Sequence, residues 1–190
     1  MIVMPVAYAV SENNRQTIPL TGGTRLTHYS NGQFEVLGVR FRIDPGMVIS
    51  QPLELNETNL QNAVRFYLNV PYLWGGKNAL GMDCSGFTQI IMSLFGKQLL
   101  RNASQQVTQG QPITLQDAQP GDIAFFDHQD GKISHVGIIL SPLASSHSPL
   151  AFTIVHCSGR VKVEKLDETG IYNIEQGDYS HHLASIRSLR

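Results

Sequence analysis

A chain of 190 residues with a formal charge of −1 and only 15% charged side chains carries no electrostatic footprint for nucleic acid or an anionic membrane surface. Its 42% apolar content is too high for a disordered protein, and is enough for one domain, or one domain with a small second unit. Two cysteines, Cys84 and Cys157, do not make a disulfide framework at this size.

The segment Met1 to Val10 is apolar but is interrupted by Pro5 and lacks the cationic flank of a secretory signal. No run approaches the roughly 18 apolar residues of a membrane span. The chain as it stands therefore reads as cytoplasmic, and as periplasmic or extracellular if an export signal has been removed.

Residues 1–50 read as short strands and turns. Ile18 to Leu20 leads into Thr21-Gly22-Gly23, and Arg25 to Tyr29 and Phe34 to Leu37 flank Ser30-Asn31-Gly32. Asn-Gly there is a hairpin signal. Val39 to Ile43 adds a third strand before Asp44-Pro45-Gly46 ends the run. Fifty residues of meander are marginal alone, so this segment is expected to pack on the rest of the chain or to be the tail of something larger.

From Leu53 the pattern changes. Leu60, Ala63, Val64 and Tyr67 fall at i, i+3, i+4 and i+7, one face of a helix. Thr58 or Asn59 is the expected N-cap, and Pro71 closes the segment. An aromatic and glycine turn comes next, Tyr72-Leu73-Trp74-Gly75-Gly76. Phe87, Ile90, Ile91 and Leu94 define a second helix with Gly96 at its C-terminal end. Asn102 to Gln109 predicts a third, short helix stopped by Gly110.

The remainder reads as β. Pro120-Gly121-Asp122 turns into Ile123 to Phe126, and Val136, Ile138 and Leu140 alternate with Gly137 and Ile139 in a mostly buried strand. After the Ser- and Pro-rich loop Ser141 to Leu150, Phe152 to Val155 and Arg160 to Lys165 form another pair, and Leu183 to Ile186 is placed to close the sheet. Helices first and antiparallel strands afterwards predict an α+β domain over residues 51–190.

The chemistry concentrates at Asp83-Cys84-Ser85-Gly86-Phe87, which opens the second helix directly after the glycine-rich turn. A thiol at that point sees the positive end of the helix dipole, which favours thiolate. First-turn N–H groups lack helical partners and can face a developing oxyanion. A cysteine taken alone is more often a buried structural residue. His135 shifts that weighing, because it opens a strongly apolar strand after the polar turn Asp130-Gly131-Lys132 and can take a proton from a thiol. His156, ending the next strand, is the candidate that orients the imidazole, since adjacent antiparallel strands can set two side chains side by side.

The other histidines carry less. His28, His181 and His182 lie far from this constellation and read as surface positions, His147 as a solvent-exposed loop residue, and His128 as a weak loop candidate. Cys157 beside His156 lacks the spaced ligand set of a zinc site, so no metal is expected.

Taken in order, Tyr72-Leu73-Trp74-Gly75-Gly76, Gly81-Met82-Asp83-Cys84-Ser85-Gly86-Phe87, Pro120-Gly121-Asp122 and Ser134-His135-Val136-Gly137-Ile138 resemble the NlpC family of cell-wall cysteine peptidases. The segment Ile154 to Val161 fits the one carrying that family's third catalytic residue, and the resemblance runs from about Leu55 to Arg190. It implies a papain-like catalytic domain with a Cys-His-His triad. Cys84 attacks, His135 is base and then acid, and His156 orients it. Tyr72 is expected to help the Cys84 N–H hold the oxyanion.

The resemblance further implies that Asp83 and Ser85 bind the free amino end of a short peptide, with Trp74 and Arg101 also on the substrate side, as in γ-D-glutamyl-L-diamino acid endopeptidases. Hydrolysis through a thioester, between D-glutamate and a diamino acid, is the expected reaction. Its partners are peptidoglycan-derived peptides, with no cofactor, no nucleic acid and no membrane span.

Three departures stand out. Residues 1–50 are similar to one partial SH3-like module at most. Asn102 follows Arg101 where the family often has Asp, and the Ser141–Leu150 loop lengthens the gap between His135 and His156, either as a lid or, the favoured reading, as a tolerated insertion. Two other functions stay open: a wall-binding module with a decayed peptidase site, and an acyltransferase using the same thioester chemistry.

Overall fold

The computed structural model describes residues 1–13, 15–127, 131–143 and 151–190. His128, His147 and most of the Ser141–Leu150 loop lie outside the described residues, as does Asp130 of the turn before His135.

Four strands form a first antiparallel sheet: β1 (Val6–Ser11), β2 (Thr17–Thr21), β3 (Gln33–Val36) and β4 (Val39–Arg42), in the order β2-β1-β4-β3. The apolar start of the chain is thus a strand. Its alternation is inverted in size, since Ala7 and Ala9 point inward while Tyr8 and Val10 point out. The small inward residues leave room for Phe34 and Phe41, which stack at 5.4 Å in a core shared with Ile2 and Ile43.

Arg25 to Tyr29 does not form a strand; Thr27 reaches the sheet, its carbonyl accepting the Glu35 N–H and its hydroxyl donating to the Glu35 carbonyl. The Asn31-Gly32 turn does form, with both residues at positive φ between the bridged Ser30 and Gln33.

The second unit begins with α1 (Glu57–Arg65), and its cap is Asn56 rather than Thr58 or Asn59. The Asn56 side chain accepts the Asn59 N–H at 2.9 Å, so the stronger capping residue two positions upstream takes the role. A small ladder of β5 (Lys77–Asn78) and β6 (Gly81–Met82) leads to α2 (Cys84–Leu94) and the one-turn α3 (Ala103–Gln106), which is shorter than its predicted span. Nine of the eleven α2 residues are buried, so this helix is the centre of the helical layer rather than an amphipathic cover.

Seven strands complete the chain: β7 (Gln111–Ile113), β8 (Ile123–Asp127), β9 (His135–Leu143), β10 (Ala151–Ser158), β11 (Arg160–Leu166), β12 (Gly170–Asn173) and β13 (Asp178–Ser188). Their order is β12-β11-β10-β9-β8-β13-β7, and β12 also pairs with β13. Strands β8 to β13 therefore close on themselves as a six-stranded barrel, with β7 appended to β13. The antiparallel sheet expected beside the helices is closed by the strand that holds Leu183 to Ile186, because β13 is long enough to pair with β8 and β7 at one end and with β12 at the other.

Closure buries apolar residues on both faces of β8, β9 and β10. Phe125, Val136, Ile138, Val155 and Cys157 face α1 and α2. Phe126, Ile139, Ile154, Leu166 and Ile171 fill the barrel. Strand alternation then places His135 with Gly137 and Ile139, and His156 with Ile154, on the barrel side. No described helix is long and apolar enough to cross a membrane.

The two units meet where Gly22 lies over Tyr67. A Cβ at Gly22 would sit 1.8 Å from the Tyr67 hydroxyl and 2.9 Å from the Met4 carbonyl. That hydroxyl is buried with no hydrogen-bond partner among the described residues, and burial pushes its pKa up. Gly22→Ala is expected to destabilise the protein by about 1–3 kcal/mol, the range for overpacking a filled site. Tyr67→Phe in that background should recover part of the loss, measured by denaturant melts. An unchanged melt for Gly22→Ala would contradict this packing.

Candidate active site

Asp83 is the N-cap of α2 and holds its first turn together. Oδ1 accepts the Gly86 N–H at 2.6 Å and the Ser85 hydroxyl at 3.2 Å, and Oδ2 accepts the Gly75 N–H at 2.9 Å. Arg101 then clamps both oxygens, Nη1 to Oδ1 at 3.0 Å and Nη2 to Oδ2 at 2.6 Å, while Nη1 also donates to the Ser85 hydroxyl at 3.0 Å. Burial alone would raise the Asp83 pKa, but the Arg101 guanidinium and the Gly86 and Gly75 N–H groups outweigh it and hold the carboxyl below its ordinary value.

Cys84 comes next, at the first helical position, and is 7% exposed. Its thiol is pushed up, first by burial and then by the adjacent Asp83 carboxylate; the N–H groups of Val136, Ser85 and Cys84 itself pull the other way without prevailing. The helix-dipole expectation of a favoured thiolate is corrected on this ground. A thiol in this setting needs a base. The Val136 N–H directed at the sulfur places Cys84 against the start of β9, one residue from His135.

His135, 6% exposed, lies with its Nε2 2.8 Å from Nδ1 of His156, which is fully buried. In the β9–β10 register His156 opposes Gly137, so His135 is its diagonal neighbour. Gly137 makes the approach possible: a Cβ there would meet Ile154 Cδ1 at 2.8 Å and His156 Cβ at 3.0 Å.

Two side chains absent from the sequence-based site complete it. Glu164 Oε2 lies 2.7 Å from His156 Nε2, and its Oε1 accepts Lys162 Nζ at 3.1 Å. Burial would raise the Glu164 pKa, yet the bonds from His156 and Lys162 win and lower it. His181 is corrected from a surface position: its ring stacks on His135 at 4.1 Å between centroids and 28° between planes. Its partner across the ladder, Ile171, belongs to the barrel interior, and barrel closure carries β13 back to the site.

The signal for Glu164 is a tight turn at Ser158-Gly159-Arg160. That turn sets His156 opposite Lys162 and makes Glu164 the diagonal neighbour of His156.

His135, His156 and His181 bring one nitrogen each within 4.8 Å of one another, as metal ligands would. His135 Nε2 and His156 Nδ1, however, are spent on each other, and the His135 and His181 rings stack with 28° between their planes. His156 Nε2 is also committed to Glu164. The cluster is built as a hydrogen-bonded chain with a stacked flank.

Cys84 opens on a cleft of about 440 Å³ that Tyr72, Trp74, Asp83, Ser85 and Arg101 also line, together with Asn102, Ile133 and Ser134. The structure thus gathers all six non-histidine candidates at one cavity. Trp74 is 86% exposed at its rim. Burial, then the neighbouring Cys84 and Asp83, push the Tyr72 hydroxyl pKa up, which keeps it a hydrogen-bond donor.

Residues 69–183 match the NlpC/P60 family. A γ-D-glutamyl-L-lysine dipeptidyl-peptidase of Bacillus subtilis is 36% identical over 157 residues, 78% of this chain and 53% of that protein. A dipeptidyl-peptidase 6 of Lysinibacillus sphaericus is 33% identical over 113 residues, 58% of this chain and 36% of that protein. The chain therefore spans about half or less of the length of these curated relatives. The crystal structure of an NlpC/P60 family protein from Bacillus cereus superposes with a TM-score of 0.76 at 21% identity, covering 99% of this chain and 62% of the other; that likeness speaks for the fold.

The depressed Asp83 carboxyl gives a pH signature. Its contribution to stability is fully present above the ordinary value of 3.8 and is lost as pH falls below it through the folded value. Thermal melts should drop in acid for the wild type. They should start lower and fall less steeply for Asp83→Asn. Parallel acid slopes in the two proteins would contradict the Arg101 clamp.

Proposed function

Because the chain belongs to the NlpC/P60 family, we propose that it is a cysteine peptidase acting on peptidoglycan-derived peptides, cleaving between D-glutamate and a diamino acid through a thioester on Cys84. The observation that supports this reading is a buried thiol at a helix N-terminus with the N–H of Val136, the residue after His135, directed at its sulfur, beside a hydrogen-bonded His135–His156 pair on β9 and β10.

His135 takes the Cys84 proton as sulfur attacks the γ-carbonyl of the D-glutamyl residue. The developing oxyanion is held by the Cys84 N–H and the Tyr72 hydroxyl. His135 then gives the proton to the leaving amine of the diamino acid, and finally activates the water that hydrolyses the thioester. His156 keeps the His135 ring in place throughout. A raised thiol pKa fits general-base activation better than a standing thiolate. Trp74 and Arg101 present the substrate side of the cleft, and residues 1–50 serve as a partial SH3-like module beside it. Muropeptides of wall turnover or recycling are the substrates this assigns.

The test is a mass-spectrometric assay on L-Ala-γ-D-Glu-diaminopimelate and its N-acetylated form, with the lysine peptide beside them. The expected result is release of the diamino acid, abolished in Cys84→Ala. Cleavage of the free-amine peptide alone would support an amine-binding role for Asp83 and Ser85, and cleavage of both forms an open site. Failure to cleave any of them would overturn the peptidase reading in favour of a wall-binding or acyl-transfer role.

A further inference from the structure

We propose that Glu164 is a positioning residue that fixes the tautomers of both histidines, so that the His135 nitrogen turned away from His156 is the one able to accept a proton. This rests on the reading of Cys84 and His135 as the reacting pair. The geometry behind it is a chain of two short contacts, Glu164 Oε2 to His156 Nε2 at 2.7 Å and His156 Nδ1 to His135 Nε2 at 2.8 Å.

Each atom in that chain has one consistent role. A carboxylate only accepts, so His156 Nε2 carries the hydrogen and donates it to Glu164. Burial disfavours a charged His156, whose ring is fully enclosed. A neutral His156 protonated at Nε2 has its lone pair on Nδ1, and His135 must therefore donate from Nε2. That leaves the lone pair of His135 on Nδ1. When His135 Nδ1 takes the thiol proton, it becomes an imidazolium whose Nε2–H still points at His156. The negative charge of Glu164 lies beyond it, so the sulfur's negative and the ring's positive charge form without any other proton moving.

With the chain reversed, His156 protonated at Nδ1 would donate to His135 Nε2. His135 would then carry its hydrogen on Nδ1 and could not accept there. The function of Glu164 is to exclude that state.

Lys162 makes the proposal sharp. It donates to the other Glu164 oxygen at 3.1 Å and, with a side chain 21% exposed against 9% for Glu164, comes from the same strand and the same face. In Glu164→Gln the ammonium of Lys162 claims the amide oxygen, so the amide NH2 faces His156 Nε2. An NH2 only donates, and His156 is driven to the reversed tautomer. Glu164→Gln is therefore expected to be more damaging than its isosteric shape suggests. Adding Lys162→Met frees the amide to rotate and should restore much of the loss.

The experiment combines long-range imidazole ¹H–¹⁵N spectra with the alkylation rate of Cys84 by iodoacetamide and with kcat and KM. In the wild type, His156 and His135 should both show Nε2 protonated. In Glu164→Gln the pattern should move to Nδ1, alkylation and kcat should fall about 10- to 100-fold, the range for loss of an outer hydrogen-bonding partner, and KM should stay within about twofold. The double variant should regain the wild-type tautomers and at least a fifth of the rate. Tautomers and alkylation rate unchanged in Glu164→Gln would overturn the proposal, as would an equal loss in the double variant. Because spectra and alkylation need no wall peptide, a wrong substrate assignment would leave them intact, and the two failures are distinguishable.

Discussion

A fully buried imidazole must have both ring nitrogens satisfied, and His156 meets that demand with a histidine on one side and a carboxylate on the other. Much of the surrounding architecture serves the same demand. Strand β10 runs between β9 and β11, so its barrel-side residues have diagonal neighbours on both flanks. Gly137 leaves the space opposite His156 empty of a side chain. Closure of β13 onto β8 and β12 seals the interior and brings the His181 ring against His135. An open sheet would expose the same polar row to water. There each hydrogen bond would be worth less, and the rings would be freer to turn.

The helical layer solves the complementary problem of holding a thiol still. Asp83 caps α2, and Arg101 neutralises Asp83 in a two-pronged ion pair, so the turn bearing Cys84 is fixed by five contacts to one carboxylate. The same arrangement decides the electrostatics of the cleft. Among the described residues lining it, Asp83 is the one acid and Arg101 the one strong base, and they offset each other. The cleft therefore offers polar groups and an exposed aromatic rim rather than a strong field. Asn102, also in the lining, adds no charge. Burial and Asp83 together push the thiol pKa up, so activation of the sulfur calls for a base.

How much of this is legible in the sequence depends on the range of the interactions. Local patterns are sound guides: the 3.6-residue spacing from Leu60 to Tyr67, the buried run after Cys84, and the alternation from Val136 to Leu140 all correspond to observed elements. Cys84, His135 and His156 are visible because the first two open their elements and the third lies near the end of its strand, each within a recognisable block. Strand β1 escapes sequence reading because its small residues point inward and its large ones outward, against the usual alternation. Glu164 and His181 escape it because their roles are set by register and by closure. Nothing in the run Arg160 to Leu166 marks Glu164 until the turn at Gly159 is counted out. His181 is far from His135 in sequence and near it because β13 pairs with β8, whose other edge carries β9.

Acylation of one sulfur by the D-glutamyl portion of a wall peptide is the step on which the whole reading depends. It is tested most directly by intact-mass spectrometry of the enzyme after acid quench during turnover of L-Ala-γ-D-Glu-diaminopimelate. A mass increase matching the L-Ala-γ-D-Glu acyl group, located on the peptide containing Cys84 and missing in His135→Ala, is the expected result. Accumulating product with Cys84 unmodified at every quench time would contradict it.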